Sequence, residues 1–244
     1  TGTENTAVGF NSLDANTTGS YNVALGSYAL TADTLGARNV AIGRSALQAQ
    51  NFTSATSSYN TAMGYAAGAA VTTGTENTLI GGLAGDALTD ADGNVALGAY
   101  ALSSDTLGSD SVAIGNNALL NQNFTSATDS YNVAVGKNAG LNVTTGVHNT
   151  FIGAAAGDAT DDGGYNVAVG SAALSANCGL GNTAIGHAAG TAITGALNTI
   201  VGLNAGYELT GGSNNLLLGQ DAGRTGSPGG NITTASNILS LGDE

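Results

Sequence analysis

The amino-acid sequence predicts an all-β fold, a parallel β-roll or β-solenoid of about 14 short coils, most of them 17 residues long. Three observations carry this reading. One pentapeptide pattern (Asn, any residue, a small or apolar residue, an aliphatic residue, Gly) recurs along the whole chain. Within each copy apolar and polar positions alternate with period two, as in a strand. The composition supplies only small residues for an interior: 39 glycines and 42 alanines among 244 residues, 5% aromatics, no Trp and a single Pro. Without regular G-X-Y triplets the chain is not collagen-like, and 42% apolar residues argue against simple disorder.

The copies read NTAVG ending at Gly9, NVALG at Gly26, NVAIG at Gly43, NTAMG at Gly64, NTLIG at Gly81, NVALG at Gly98 and SVAIG at Gly115. They continue with NVAVG at Gly136, NTFIG at Gly153, NVAVG at Gly170, NTAIG at Gly186, NTIVG at Gly202 and NLLLG at Gly219. A last copy, NILSLG at Gly242, carries one extra residue. The two 21-residue intervals between consecutive copies, Gly43 to Gly64 and Gly115 to Gly136, lie four coils apart and expose a four-coil superrepeat. TGTENT at Thr1 recurs at Thr73, and NFTSAT at Asn51 recurs at Asn123. Such internal periodicity identifies units that contact only their neighbours. After each Gly come two variable residues, usually Ala, then Leu or Gly, which suggests a second short extended segment per coil.

Segments of four or five residues gain stability when each pairs with its counterparts in the coils above and below. At about 4.8 Å per coil, fourteen coils predict a rod on the order of 65 Å. Alternation places Asn5, Ala7 and Gly9 on one side of the strand, Thr6 and Val8 on the other. Ala and Gly at inner sites allow a narrow interior. Val8, Leu25, Ile42, Met63, Ile80 and Leu97 then form an aliphatic column on the outer face, which a thin coil cannot cover itself. At roughly 25 cal/mol per Å², the repeated column implies an obligate oligomer, a parallel homotrimer. The asparagines Asn5, Asn22, Asn39, Asn60, Asn77, Asn94, Asn132, Asn149, Asn166, Asn182, Asn198 and Asn215 are expected to stack as an amide ladder and to tolerate turn conformations. Ser111 continues that ladder less well. The Gly after the aliphatic residue supplies a corner with no Cβ.

Net charge is −13, with Arg38, Arg44, Lys137 and Arg224 as the cations. No basic stripe exists to neutralise phosphates, so nucleic acid is not an expected partner. Cys178 is the single cysteine, which excludes an intrachain disulfide framework and a multi-Cys zinc site and leaves a free thiol, at the surface of an oligomer or elsewhere. No stretch approaches 18 apolar residues, so membrane insertion of this segment is not expected. Beginning with Thr inside a repeat, the chain is expected to be part of a longer array.

The N-[TV]-A-[VIL]-G-x-x-A-[LG] arrays resemble the head repeats of trimeric autotransporter adhesins and, more closely, repeat regions of phage tail fibres, over about residues 1–223. The resemblance implies a left-handed parallel β-roll wound into trimers. Ordinary parallel crossovers are right-handed in about 98% of cases, so handedness rests on the resemblance alone. It divides the chain into a repeat array, 1–223, and a terminal irregular coil, 224–244, whose TTASNILSLGDE resembles the junction before a chaperone domain. The coils here are longer than the repeats of the adhesin heads. The implied function is a structural and adhesive fibre segment of a phage tail, extracellular on the virion, either a rigid spacer or a multivalent contact. Implied partners are other fibre or tail proteins and a bacterial surface glycan or outer-membrane receptor. The alternative is a trimeric adhesin head on a bacterial surface or a fibre of a contractile injection system.

Catalysis needs a unique constellation, whereas most polar residues here have counterparts four coils away. Asp14, Asp86 and Asp158 are equivalent, as are Asp33 with Asp105 and Asp90 with Asp162; all are expected as solvated corner residues. Neither an enzyme nor a cofactor is expected, since polysaccharide lyase chemistry calls on bases the chain lacks. Ice binding would want Thr-x-Thr on every coil. TDADGN at Asp90 and Asp92 has the oxygen-rich character of a calcium loop, but its second copy, TDDGGYN, loses the spacing, and a polar turn is the expectation. His148 and His187 are expected to be stacked or exposed. The two longer coils are more informative, because their extra residues place scarce aromatics near corner loops. Asn51, Phe52, Thr53 and Tyr59, with Asn123, Phe124, Thr125 and Tyr131, are candidate surface contacts about 19 Å apart along one face. Multivalent display on a rigid scaffold would raise avidity. The competing reading is that these aromatics cap the loops or pack against a neighbouring chain.

Overall fold

The computed structural model describes residues 2–242, among which there is no helix. Thr1, where the first TGTENT opens, and Asp243 and Glu244, at the end of the junction, lie outside the described residues. The chain forms two compact units, Thr1–Ser130 and Tyr131–Glu244. The first contains β1 (Thr6–Val8), β2 (Val23–Leu25), β3 (Gly36–Ala37), β4 (Val40–Ile42), β5 (Thr56–Ser57) and β6 (Thr61–Met63). It continues with β7 (Thr78–Ile80), β8 (Val95–Leu97), β9 (Gly108–Ser109), β10 (Val112–Ile114) and β11 (Thr128–Asp129). The second contains β12 (Val133–Val135), β13 (Thr150–Ile152), β14 (Val167–Val169), β15 (Thr183–Ile185), β16 (Thr199–Val201), β17 (Leu216–Leu218) and β18 (Leu239–Leu241).

Each unit is a parallel β-solenoid. In the first, β1, β2, β4, β6, β7, β8 and β10 pair in that order; in the second, β12 to β18 pair in chain order. Equivalent motif positions face each other, as in Val23 against Val40, Ala24 against Ala41 and Leu25 against Ile42. Even after the long last coil the register returns, with Leu216 beside Leu239 and Leu218 beside Leu241. A three-residue strand survives because its backbone groups are satisfied by the adjacent coils. Two small ladders, β3 with β5 and β9 with β11, occur only beside the two coils that carry NFTSAT.

The expected second strand is replaced by consecutive turns. The second and fourth residues after each motif Gly commonly take positive φ, for example Tyr28 (62°) and Leu30 (51°), then Ser45 (61°) and Leu47 (48°). A backbone that alternates the sign of φ cannot be pleated. It still stacks in parallel, because Leu30 N–H donates to the Ala46 carbonyl (3.0 Å) and Leu47 N–H to that of Ala67 (3.1 Å). Among the described residues, thirty-one that are not glycine have positive φ, far above the few per cent usual in proteins.

Asn and Ala face inward in the stacked coils, as the alternation predicts, whereas the motif Gly stands at a half-buried corner in most of them. Ala24, Ala41, Ala62, Ala96 and Ala113 are fully buried, opposite Ala29, Leu30, Ala46, Leu47, Ala101 and Leu102. The corner glycines meet two demands together: Gly26 has φ +130°, and a Cβ there would lie 2.6 Å from the Gly43 carbonyl.

The asparagine ladder has a different wiring from stacked amides. Asn77 Oδ1 accepts from the backbone N–H of Asn94 (3.0 Å), and its Nδ2 donates to the Ala91 carbonyl near the end of the same coil (2.8 Å). Asn22, Asn60, Asn94, Asn132 and Asn149 make the same closing bond. Direct amide-to-amide bonds occur at a few steps, such as Asn198 to Asn182 (2.9 Å). Nor does Asn hold the turn conformation: the residue before it does, including Tyr21 (63°), Arg38 (63°), Tyr59 (51°) and His148 (59°).

Candidate functional site

The long coils are organised around buried carboxylates. Asp33 and Asp105 are fully buried, not solvated corners as the sequence suggests. Asp33 Oδ1 accepts from the Gly36 N–H (2.8 Å) and Oδ2 from Gln50 Nε2 (2.7 Å), while Gln50 Oε1 accepts from Asn60 Nδ2 (2.9 Å). Asp105 repeats this with Gly108 (3.1 Å) and Gln122 (2.6 Å), and also accepts from the Phe124 N–H (3.1 Å). Where Ser111 stands in the Asn column, its hydroxyl shares a bond with Ser130 and accepts from Gln122 (3.0 Å). These buried networks fix the root of each inserted loop.

Phe52 and Phe124 are both only 6% exposed, so their rings close the coil interior and are not presented to solvent. Asn51, Thr53, Asn123 and Thr125 are exposed. Asn51 Oδ1 accepts from Thr34 Oγ1 (2.9 Å) and Asn123 Oδ1 from Thr106 Oγ1 (3.0 Å). Tyr59 and Tyr131 are half exposed, and both stand immediately before a motif Asn, in an outward column of left-handed residues. In the first unit Arg38 lies in that column between Tyr21 and Tyr59, its guanidinium carbon 5.2 and 5.7 Å from the two ring centres. In the second unit His148 is stacked between Tyr131 (5.2 Å, 22°) and Tyr165 (4.9 Å, 15°). Sequence reasoning does not single out Tyr21, Arg38 or Tyr165. The readable signal is their shared position before a motif Asn or its equivalent, one coil apart from the next aromatic.

Beside Arg38 opens a cleft of about 200 Å³, lined by Thr18, Ser20, Tyr21, Leu35, Ala37, Arg38, Ala55, Thr56 and Ser57. Arg38 donates to Ser57 Oγ. Among the described residues the only ion pair is Arg224 with Asp221, so none of their carboxylates pairs with Arg38.

The remaining polar candidates serve the coils. Asp90 takes hydroxyl bonds from Thr73 (2.6 Å) and Thr72 (2.7 Å), which hold its carboxyl below the ordinary range. Asp92 accepts from the N–H (2.6 Å) and hydroxyl (2.9 Å) of Thr75. Among the described residues no group of three His, Cys, Asp or Glu side chains is placed to hold a metal ion. Asp86 accepts from Ser103 Oγ. Burial pushes the Asp158 carboxyl above its usual range, with the nearby Ser175 hydroxyl acting against the shift; that hydroxyl donates to the Ala155 carbonyl (3.1 Å), and Asp158 Oδ1 is buried without a partner. Cys178 is buried, not at a surface. Burial raises its thiol pKa, and its Sγ lies 3.4 Å from Thr160 Oγ1. His187 is exposed.

The outer aliphatic column is left uncovered by the chain itself. Met63 is 42% exposed and Leu97 44% in the first unit, Ile152 41% and Ile185 42% in the second. Leu25, Ile42, Ile80 and Val135 are half-buried. Among the described residues no helix is long and apolar enough to cross a membrane. A scan against protein-family models finds no match, and searches of curated proteins and of solved structures find none.

Proposed function

We propose that the chain is a structural and adhesive fibre segment of a phage tail, a parallel homotrimer that acts as a rigid spacer or as a multivalent contact with a bacterial surface. The observation that carries this reading is the outward aliphatic column, repeated coil after coil on a scaffold whose polar side chains are mostly bonded within the coils. A surface with the coil period of the chain is best matched by another copy lying along it, because each aliphatic row then meets a row of the same spacing; the parallel direction comes from the resemblance of the repeats. Isolated exposed apolar residues are ordinary, but a contiguous apolar strip marks an interface. The left-handed winding is carried by the resemblance of the repeats. Adhesion is supported by the exposed tyrosines, which offer apolar area with a polar tip.

Light scattering on the purified chain is expected to give the mass of three chains, and labelled protein to bind the surface of some members of a panel of bacteria. A well-ordered monomer would overturn the trimer, and no binding to any envelope would leave the spacer role only.

A further inference from the structure

We propose that the cleft between the coils of Tyr21, Arg38 and Tyr59 is a binding site for an acidic sugar residue, a pyranose carrying a carboxylate within a surface polysaccharide. This deepens the reading of the chain as a surface contact and rests on it for its biological setting, though not for the binding itself.

The first support is electrostatic. In a chain with net charge −13, Arg38 is a cation without a carboxylate partner among the described residues. Its guanidinium is held between two tyrosine rings and tied to Ser57. An arginine fixed this way loses less freedom when it binds than a free one, and its planar fork matches a carboxylate in two-point contact. The second support is composition. Thr18, Ser20, Thr56 and Ser57 bring hydroxyls that both donate and accept, while Tyr21, Leu35, Ala37 and Ala55 bring apolar surface. A sugar ring needs this mixture, since it carries hydroxyls at its rim and C–H groups on its faces. At about 200 Å³ the cleft is smaller than the roughly 300–1,000 Å³ of pockets that enclose a drug-sized molecule, a scale suited to one residue of a longer chain.

The third support comes from the repeat. Leu35, Ala55 and Thr56 recur four coils later as Leu107, Ala127 and Thr128. Of the residues with chemistry only Thr56 recurs: Thr18, Ser20, Tyr21, Arg38 and Ser57 are replaced by Asp90, Asp92, Gly93, Asp110 and Asp129. The replaced positions are the ones that set the charge and polarity of the cleft. The copy presents four carboxylates where the first presents hydroxyls and a guanidinium, so an anionic sugar is admitted at one place and repelled at the other.

Isothermal titration of the full chain with a galacturonic acid oligomer, a neutral galactose oligomer and inorganic sulfate tests the assignment. Saturable binding is expected for the acidic oligomer alone. Arg38→Gln is expected to weaken it by about ten- to a hundredfold, the loss of hydrogen bonds to a charged group, and Tyr21→Ala also to weaken it. Asp110→Asn should leave it unchanged. Melting curves of the variants matching the parent would show that the fold is intact. Absence of binding, binding undiminished in Arg38→Gln, or sulfate binding as tightly as the sugar acid would each overturn the proposal. A monomer that still bound the acidic oligomer through Arg38 would remove the trimer and keep this site.

Discussion

Asn77 shows how much depends on single side chains. Its amide closes its own coil on the Ala91 carbonyl and caps the Asn94 N–H of the next, so Asn77→Ala strands two buried backbone groups. At about 1–3 kcal/mol for each group left unsatisfied, chemical denaturation should show a clear loss of stability. Asn77→Asp keeps the acceptor but loses the donor and sets a buried carboxyl against the Ala91 carbonyl, so it too is expected to destabilise. Asp158 works in the opposite direction. Because burial raises its folded pKa above the unfolded value, the folded state binds more protons in the window between them. Stability therefore falls as pH rises from the ordinary aspartate pKa of about 3.9 through the raised one. Asp158→Asn is expected to raise the melting temperature at neutral pH and to gain nothing in acid, and an equal effect at both pH values would exclude the buried charge as the cause. Cys178 is shielded by the same burial: the thiolate is the nucleophile, and a raised thiol pKa in the coil interior disfavours it.

Coils are matched in volume, element against element. Where the strand carries Ala24, the turn opposite carries Leu30; where the strand carries Phe151, the turn carries Gly157, whose added Cβ would lie 2.5 Å from the ring. Leu79 is likewise flanked by Gly68 in the coil before and Gly85 in its own. Phe151→Ala should cost about 3–5 kcal/mol as a buried aromatic is lost. Adding Gly157→Leu should restore part of that stability, because Leu30 holds φ 51° at the equivalent position; paired denaturation curves measure the coupling. Where strand Ala62 or Ala184 meets turn Gly68 or Gly190, the large side chain comes from the next coil, Leu79 or Ile200, so the choice of Leu or Gly is settled between neighbouring coils. The repeat period, the inward Asn and Ala and the corner Gly are all readable from spacing, because a residue recurring each coil must meet the same environment. The left-handed turns are not, since Tyr, Leu and Arg have no local preference for positive φ and adopt it only because stacked neighbours over-determine it. Phe52 reads in sequence either as a surface contact or as a cap of its loop, because an insertion marks an exposed corner without fixing where its ring goes; the ring is buried, and the Asp33–Gln50 network beneath it is visible only once coils are stacked. Arg38 is hidden for the same reason: its two tyrosines lie one coil before it and one coil after it along the chain.

Most buried polar side chains are bonded, Asp158 Oδ1 being an exception, whereas the outer aliphatic column is half-buried to exposed, and this imbalance is what association would relieve. Each exposed Met63 or Leu97 side chain, once covered, would contribute roughly 1 kcal/mol at about 25 cal/mol per Å², small singly and large when summed along parallel copies. Identical coils, however, make a one-coil slip between copies inexpensive, so in-register assembly needs features that do not repeat every coil, such as the NFTSAT insertions. Two consequences follow for the proposed trimer. Its melting temperature should rise with protein concentration, because a state held together by subunits gains from mass action. Ile42→Asp or Leu97→Asp should dissociate it, since a carboxylate facing two apolar neighbours would be desolvated without a partner. The same substitutions leave the inward Ala41 and Ala96 layer untouched, so the released chain should retain its β-type circular dichroism. A variant that stays trimeric with an unchanged, concentration-dependent melt would place the interface on some other face of the coils.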